Sequence, residues 1–119
     1  HDTCSPLYNK KQQGDCKCGK GAVVTYGPAV QNNLLQTIIG VAKSNEIAIQ
    51  RNAVSRSTGT DTDSFAYSGM GVASALISLP LKYMHTTVET VHMDDVNSCI
   101  QLMYQTVKTI QAGQTFNYI

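Results

Sequence analysis

Apolar residues recur at helical spacing in two stretches of this chain. The first stretch predicts a helix near residues 31–44, with apolar positions at Leu34, Leu35, Ile38, Val41 and Ala42. The second begins with Asp94 and Asp95, which suit the positive end of a helix dipole, and Gly113 follows its end. Its apolar residues share one face of the predicted helix, at Val96, Cys99, Ile100, Met103, Val107 and Ile110.

Shorter apolar runs predict three strands, at residues 22–26, 47–50 and 72–79. The third run is apolar apart from two serines, which is typical of a strand covered on both faces. The Ser-, Thr- and Gly-rich stretch before it predicts a loop, in which Asp61 or Thr62 can cap a short helix through Tyr67. Strands that alternate with helices predict an α/β fold.

The length and composition allow one domain and exclude some partners. The chain has 119 residues, of which 42% are hydrophobic and only 14% charged, so we expect part of its surface to face other protein. The net charge is +1, and we expect no nucleic acid and no membrane as partner. No apolar run approaches the roughly 20 residues that a transmembrane helix needs. Because the chain begins with His1 and not with Met, we expect it to be a segment of a longer protein.

The four cysteines predict reduced thiols in a cytoplasmic protein. Cys99 lies on the apolar face of the last predicted helix, where a free thiol behaves as a small hydrophobic residue. Cys16 and Cys18 are closer together than the cysteines of structural zinc motifs, and no second pair follows. A zinc or redox role for Cys4, Cys16 and Cys18 is the alternative. Residues 5–20 are polar and aperiodic, and they predict an exposed loop.

The third predicted strand stops at Pro80, and His85 follows within five residues. Ligands of open α/β sheets bind beyond the carboxyl ends of strands, so this imidazole is a candidate metal ligand. Glu89 could orient it by accepting its second N–H, and Asp61 offers a further carboxylate. Catalytic zinc takes three protein ligands and a water, so these residues alone make half a site. A structural loop histidine is the alternative.

Longer stretches of the sequence resemble one family. They are Gly59-Thr60-Asp61, then residues 71–89, which end in Pro80-Leu81-Lys82-Tyr83-Met84-His85-Thr86-Thr87-Val88-Glu89, and then Asp95-Val96 at a helix start. This resembles the C-terminal third of the tetrahedral aminopeptidases, family forty-two of the metallopeptidases, which includes glutamyl aminopeptidases and members labelled endoglucanase or cellulase. The family pattern is Gly-Gly-Thr-Asp-Ala, then Ile-Pro-x-Arg-Tyr-Met-His-Ser-x-x-Glu, then an Asp-Val-Glu helix. Gly19-Lys20-Gly21 and Gly27-Pro28 also resemble family positions.

The resemblance implies a dinuclear-metal aminopeptidase that removes N-terminal residues from peptides. Residues 1–119 would be the C-terminal segment of its catalytic domain, part of a three-layer α/β/α sandwich with a mixed sheet. The rest of that domain, the general base and the dimerisation domain would lie outside this chain, so we expect the isolated segment to be inactive. His85 would bind one of two divalent ions, zinc or cobalt, with Asp61, Glu89 and Lys82 as active-site support. The family also implies a homo-oligomer.

Some residues depart from the family pattern. Lys82 replaces the usual Arg, which keeps the charge but not a bidentate fork. Thr58 and Thr62 stand where Gly and Ala are usual.

Two other functions remain open from the sequence. A glycoside hydrolase would need a pair of carboxylic acids, for which Asp61 and Glu89 are the local candidates. A non-catalytic homologue would act in assembly or binding.

Overall fold

The computed structural model describes residues 15–116 of the chain. The helices are α1 (Asn32–Ser44), α2 (Asp61–Ala66) and α3 (Met93–Thr109). The strands are β1 (Ala22–Tyr26), β2 (Ile49–Ala53), β3 (Ile77–Ser78), β4 (Leu81–Lys82) and β5 (Thr90–Val91). Among these described residues, no helix is long and apolar enough to cross a bilayer.

Strand β1 lies at the centre of a mixed sheet. It pairs in parallel with β2, from Ala22 opposite Ile49 to Tyr26 opposite Ala53. On its other side it pairs antiparallel with β3. Strands β4 and β5 form a separate antiparallel hairpin. The predicted α/β class with a mixed sheet is therefore confirmed.

The core forms where α1 and α3 pack against each other and against β1. Its buried members are Ala22, Val24, Val30, Leu35, Ile38, Val41, Ala42 and Leu102. Leu35 and Leu102 have no exposed surface, and each stabilises the fold by roughly 1.5–3 kcal/mol. Val23 and Thr25 point to the opposite face of β1 and are buried too, so both faces of this strand are covered.

Helix α1 has the predicted extent because both of its ends are capped. The Gln31 side chain accepts a hydrogen bond from the Leu34 N–H at 2.7 Å. At the other end, the Asn45 side-chain amide donates to the Val41 carbonyl at 2.9 Å. These bonds satisfy backbone groups that have no partner within the helix.

The third strand is much shorter than its apolar run, so the prediction of a strand over 72–79 is wrong. Only Ile77 and Ser78 pair with β1. Farther back, the carbonyls of Ser74 and Leu76 accept from Gln31 and Thr25 N–H groups, but no regular ladder forms. The start of the run is exposed rather than buried, since Val72 keeps 55% of its surface. The strand predicted at 47–50 likewise lies farther along, in β2.

Helix α3 is rotated relative to the prediction from its apolar pattern. Leu102, Thr106 and Asp95 are buried, whereas Ile100, Met103 and Val107 of the predicted apolar face are about half exposed or more. Together with Tyr104, these three form an apolar stripe on the outer surface of α3, which we call the outer stripe. The prediction failed because the helix is oriented by a polar contact that an apolar pattern does not reveal.

That polar contact is made by the Asp95 carboxylate, which is fully buried. Its Oδ2 accepts from the Gly19 N–H at 2.7 Å, and its Oδ1 accepts from the Gly21 N–H at 2.8 Å. Gly21 has φ +104°, and a Cβ there would lie 2.2 Å from the Ala48 carbonyl oxygen. Only glycine fits this position, so the loop before β1 is built to present its N–H groups to Asp95.

We predict that Asp95→Asn lowers the free energy of unfolding by about 1–3 kcal/mol, because the carboxamide NH₂ would face a buried N–H donor and leave it unsatisfied. Urea unfolding followed by circular dichroism measures the change. The matched control is Asp94→Asn, whose side chain is 82% exposed and whose loss should cost under about 1 kcal/mol. Equal unfolding midpoints for the two variants would contradict the structural role of Asp95.

Candidate functional site

His85 lies in the turn of the β4–β5 hairpin. The hairpin is anchored by Leu81 opposite Val91 and by Lys82 opposite Thr90. The turn is exposed, and it holds two non-glycine residues in the left-handed region, Tyr83 at φ +58° and His85 at φ +63°. Such backbone angles are uncommon for residues with a Cβ and concentrate at functional sites.

The Glu89 carboxylate does contact His85, but it binds the main-chain N–H of His85 and not the imidazole ring. The Glu89 Oε1 atom accepts a hydrogen bond from the His85 main-chain N–H. Among residues 15–116, no hydrogen bond or ion pair engages the His85 imidazole. Both ring nitrogens therefore stay available for a ligand, which suits a group that binds divalent metal ions.

Within residues 15–116, no hydrogen bond or ion pair joins His85 to either of the other two predicted support residues. Lys82 is half-buried in β4. Asp61 is the exposed first residue of α2. The loop that leads to Asp61 leaves the sheet at the edge where β1 and β2 end, whereas the hairpin follows β3 at the edge where β1 begins. Within the described residues, no group of three or more His, Cys, Asp and Glu side chains could hold a metal ion.

A carboxylate that the sequence interpretation passed over, Asp63, organises the loop before α2. Its Oδ1 accepts from the N–H and the hydroxyl of Thr58, both at 3.0 Å, and its Oδ2 accepts from the Gly59 N–H at 3.0 Å. The hydrogen bond from the Thr58 backbone is the main cause that lowers the pKa of Asp63. The spacing of Thr60, the N-cap of α2, and Asp63 three residues later is a signal that could have identified it.

Two of the thiols, those of Cys16 and Cys99, are packed into the fold. Burial raises the pKa of Cys16 and of Cys99, and the charges of Asp15 and Asp95 respectively add to the effect. The Cys99 thiol donates to the Ser78 carbonyl at 3.7 Å, which joins α3 to β3. In the part of the chain that the structure describes, Cys16, Cys18 and Cys99 form no disulfide. Cys4 lies outside the described residues, and the burial of Cys16 departs from the exposed loop predicted for residues 5–20.

A cavity of about 510 Å³ lies at the edge of the sheet where β1 ends. Its walls carry no charged side chain and come from residues 28–31, Ala66, Tyr67, residues 70–73 and Phe116. The Gln31 side-chain amide donates to the Phe116 carbonyl beside it. None of the predicted site residues lines this cavity, so it is separate from the His85 turn.

Comparison with known proteins decides the family. The family model described as M42 glutamyl aminopeptidase matches residues 2–102, which is most of the chain. This chain belongs to the M42 glutamyl aminopeptidase family. The resemblance inferred from the motif around His85 is thereby confirmed.

Several M42 relatives are similar to this chain over most of its length. A lysyl aminopeptidase from Pyrococcus furiosus is 40% identical over 84 residues, which cover 71% of this chain and 24% of that protein. The crystal structure of a TET aminopeptidase from Thaumarchaeota archaeon SCGC AB-539-E09 has a TM-score of 0.73 at 26% identity, and covers 81% of this chain and 28% of that one. The structure of PhTET1-12s, a dodecamer, has a TM-score of 0.69 at 28% identity. The match covers 89% of this chain and 30% of that one. This chain therefore spans about a quarter to a third of the length of these relatives.

We predict that the amide resonances of Thr58 and Gly59 titrate with the Asp63 carboxyl. Its pKa is lowered in the folded state, so the ionised form stabilises the loop above the ordinary pKa. That stabilisation is lost as the pH falls through the lowered value. A pH series of ¹H–¹⁵N spectra follows the titration.

In Asp63→Asn the titration of both amides should disappear, whereas in Asp61→Asn it should persist because Asp61 does not bind them. A titration that survives in Asp63→Asn would show that another group holds the loop.

Proposed function

We propose that this M42 chain is part of a metal-dependent aminopeptidase that removes N-terminal residues from peptides. The observation that carries the proposal is the presentation of His85. Its imidazole stands exposed on a hydrogen-bonded hairpin, in the Tyr-Met-His stretch that resembles the family pattern. The 40% identity to a protein named lysyl aminopeptidase supports the reaction class.

His85 would supply one imidazole ligand of a dinuclear centre of zinc or cobalt. The fit rests on the two ring nitrogens, which make no hydrogen bond within the described residues. Since residues 15–116 offer no complete ligand set, the other ligands would come from the remainder of a longer polypeptide. Bound divalent metal polarises the scissile carbonyl and lowers the pKa of a bound water.

The roles of this chain's own residues are positioning and binding. The hairpin would hold the His85 ring toward the site. Lys82, one residue before the left-handed turn, would bring a positive charge near it that can attract a substrate carboxylate or carbonyl. Asp61 would act as a more distant support, since its loop leaves the sheet at the opposite edge. The general base would lie outside this chain.

The assembly would be a homo-oligomer in the cytoplasm. The support is the dodecameric relative together with the outer stripe of α3, where four apolar side chains are exposed on a chain with few charges. Residues 1–119 would be the C-terminal segment of the catalytic domain, and the 24% and 28% of the relatives' length that this chain covers support a segment of a longer polypeptide.

A glycoside hydrolase is less well supported. It would need two carboxylic acids across one cleft, separated by about 5–9.5 Å. Glu89 is engaged by the His85 N–H, and the loop to Asp61 leaves the sheet elsewhere. Release of reducing sugar in the presence of a chelator would favour the hydrolase, whereas chelator-sensitive peptide hydrolysis favours the aminopeptidase. A homologue that acts only in assembly or binding would show neither activity.

We predict that His85→Ala in the longer polypeptide removes one of its two metal ions per subunit. Elemental analysis of the purified protein measures the loss. Hydrolysis of aminoacyl-nitroanilides should fall by more than about 100-fold. Removal of a residue that only supports a metal ligand costs up to about 100-fold, and removal of the ligand itself should cost more.

The matched control is His92→Ala. His92 caps α3, where its Nδ1 accepts from the Asp94 N–H at 3.2 Å, so this variant should cost about 1 kcal/mol of stability and no metal. Unchanged metal content and rate in His85→Ala would refute the assignment. Residues 1–119 alone should show no hydrolysis, and zinc-dependent turnover by them would contradict the need for outside ligands.

A further inference from the structure

The turn around His85 is held in a conformation that its own residues do not favour. Tyr83 and His85 both have left-handed backbone angles, at φ +58° and +63°, which glycine would adopt without strain. The chain nevertheless has large side chains at both positions. The surrounding bonds must therefore hold this backbone in place.

Each left-handed residue is held by one side chain of the same turn. The Thr86 hydroxyl donates to the Tyr83 carbonyl at 2.6 Å, and Val88 N–H donates to that hydroxyl at 3.3 Å. The Glu89 carboxylate accepts from the His85 N–H. Glu89 is itself fixed, because the next residue, Thr90, pairs with Lys82 in the hairpin ladder.

We propose that Glu89 is a positioning residue that fixes the backbone of His85 and leaves both ring nitrogens open to metal. The part of this inference that concerns metal binding rests on the proposed function. A hydrogen bond to a charged acceptor is about twice as strong as one between neutral groups, so one carboxylate can hold an otherwise unfavourable backbone angle. The usual arrangement is different, since a supporting carboxylate commonly binds the second ring N–H of a metal-binding histidine.

The two arrangements have different consequences. A carboxylate on the ring would select one tautomer and make the imidazole more basic. A carboxylate on the backbone selects no tautomer and acts only on where the ring is presented. Removal of Glu89 should therefore weaken metal binding by releasing the turn.

The first experiment uses the 119-residue chain and ¹H–¹⁵N NMR. In Glu89→Ala, the His85 amide proton should lose its hydrogen-bonded shift, and its exchange with solvent should accelerate by about 10-fold or more. Glu89→Gln keeps a neutral acceptor, so it should restore part of the protection. Glu46→Ala is the matched control, since it removes an exposed glutamate two residues after the end of α1.

The second experiment titrates zinc alone into the longer polypeptide by calorimetry. Glu89→Ala should bind zinc about 10- to 100-fold more weakly than Glu46→Ala, the range found when supporting partners of metal ligands are removed. Glu89→Gln should fall between them. Urea unfolding midpoints that agree among the variants exclude a general loss of folding as the cause.

The outcomes separate this inference from the proposed function. A released His85 amide with unaltered zinc affinity would overturn the positioning role and leave the aminopeptidase standing. An unprotected His85 amide in the wild-type chain, or full protection in Glu89→Ala, would overturn the backbone contact itself. Absence of zinc binding by the wild-type longer polypeptide would overturn the proposed function, and the metal part of this inference with it.

Discussion

The buried carboxylate of Asp95 is the contact on which the placement of the other elements depends. It accepts hydrogen bonds from the N–H groups of Gly19 and Gly21, in the loop before β1. These donors precede Asp95 by 76 and 74 positions in the chain. Asp95 also belongs to the first turn of α3, so one side chain joins the start of the central strand to the start of the last helix. The β4–β5 hairpin ends at Val91, two residues before that helix begins at Met93, so the chain runs from the hairpin directly into the helix that Asp95 anchors.

The same contact decides which residues of α3 reach the core. With Asp95 directed inward, Cys99, Leu102 and Thr106 follow on one face at spacings of four, three and four residues. The outer stripe is then necessarily turned away from the sheet, although its residues are more hydrophobic than Asp95 or Thr106. The hydrogen bonds of the buried Asp95 carboxylate thus decide the orientation of α3 against its apolar pattern. A buried carboxylate without hydrogen-bond partners would cost more free energy than the partial exposure of several apolar side chains.

The sequence predicts the helices and β1 well and the antiparallel parts poorly. The limits of α1 and α3 follow from apolar period and capping residues, both of which are local properties. The extent of β3 is not local, since it depends on how many residues find a partner on β1. The β4–β5 hairpin has only two pairs, and its turn places Tyr83 and His85 at angles that no residue preference indicates. The sequence pattern therefore makes His85 a candidate but does not predict the turn that presents it.

The atoms that Glu89 and Asp63 contact show why spacing alone cannot assign a role to a carboxylate. A separation of four residues brought Glu89 near His85, as expected, but the left-handed backbone turns the main-chain N–H toward the carboxylate and leaves the ring outside. In the Gly59 loop, Asp63 and not Asp61 faces the backbone donors, because a residue in the first turn of a helix can reach back to the N–H groups that precede it. In both turns the carboxylate accepts hydrogen bonds from backbone N–H groups. The hairpin therefore fixes where the His85 ring stands, whereas these contacts favour neither of its two ring nitrogens over the other.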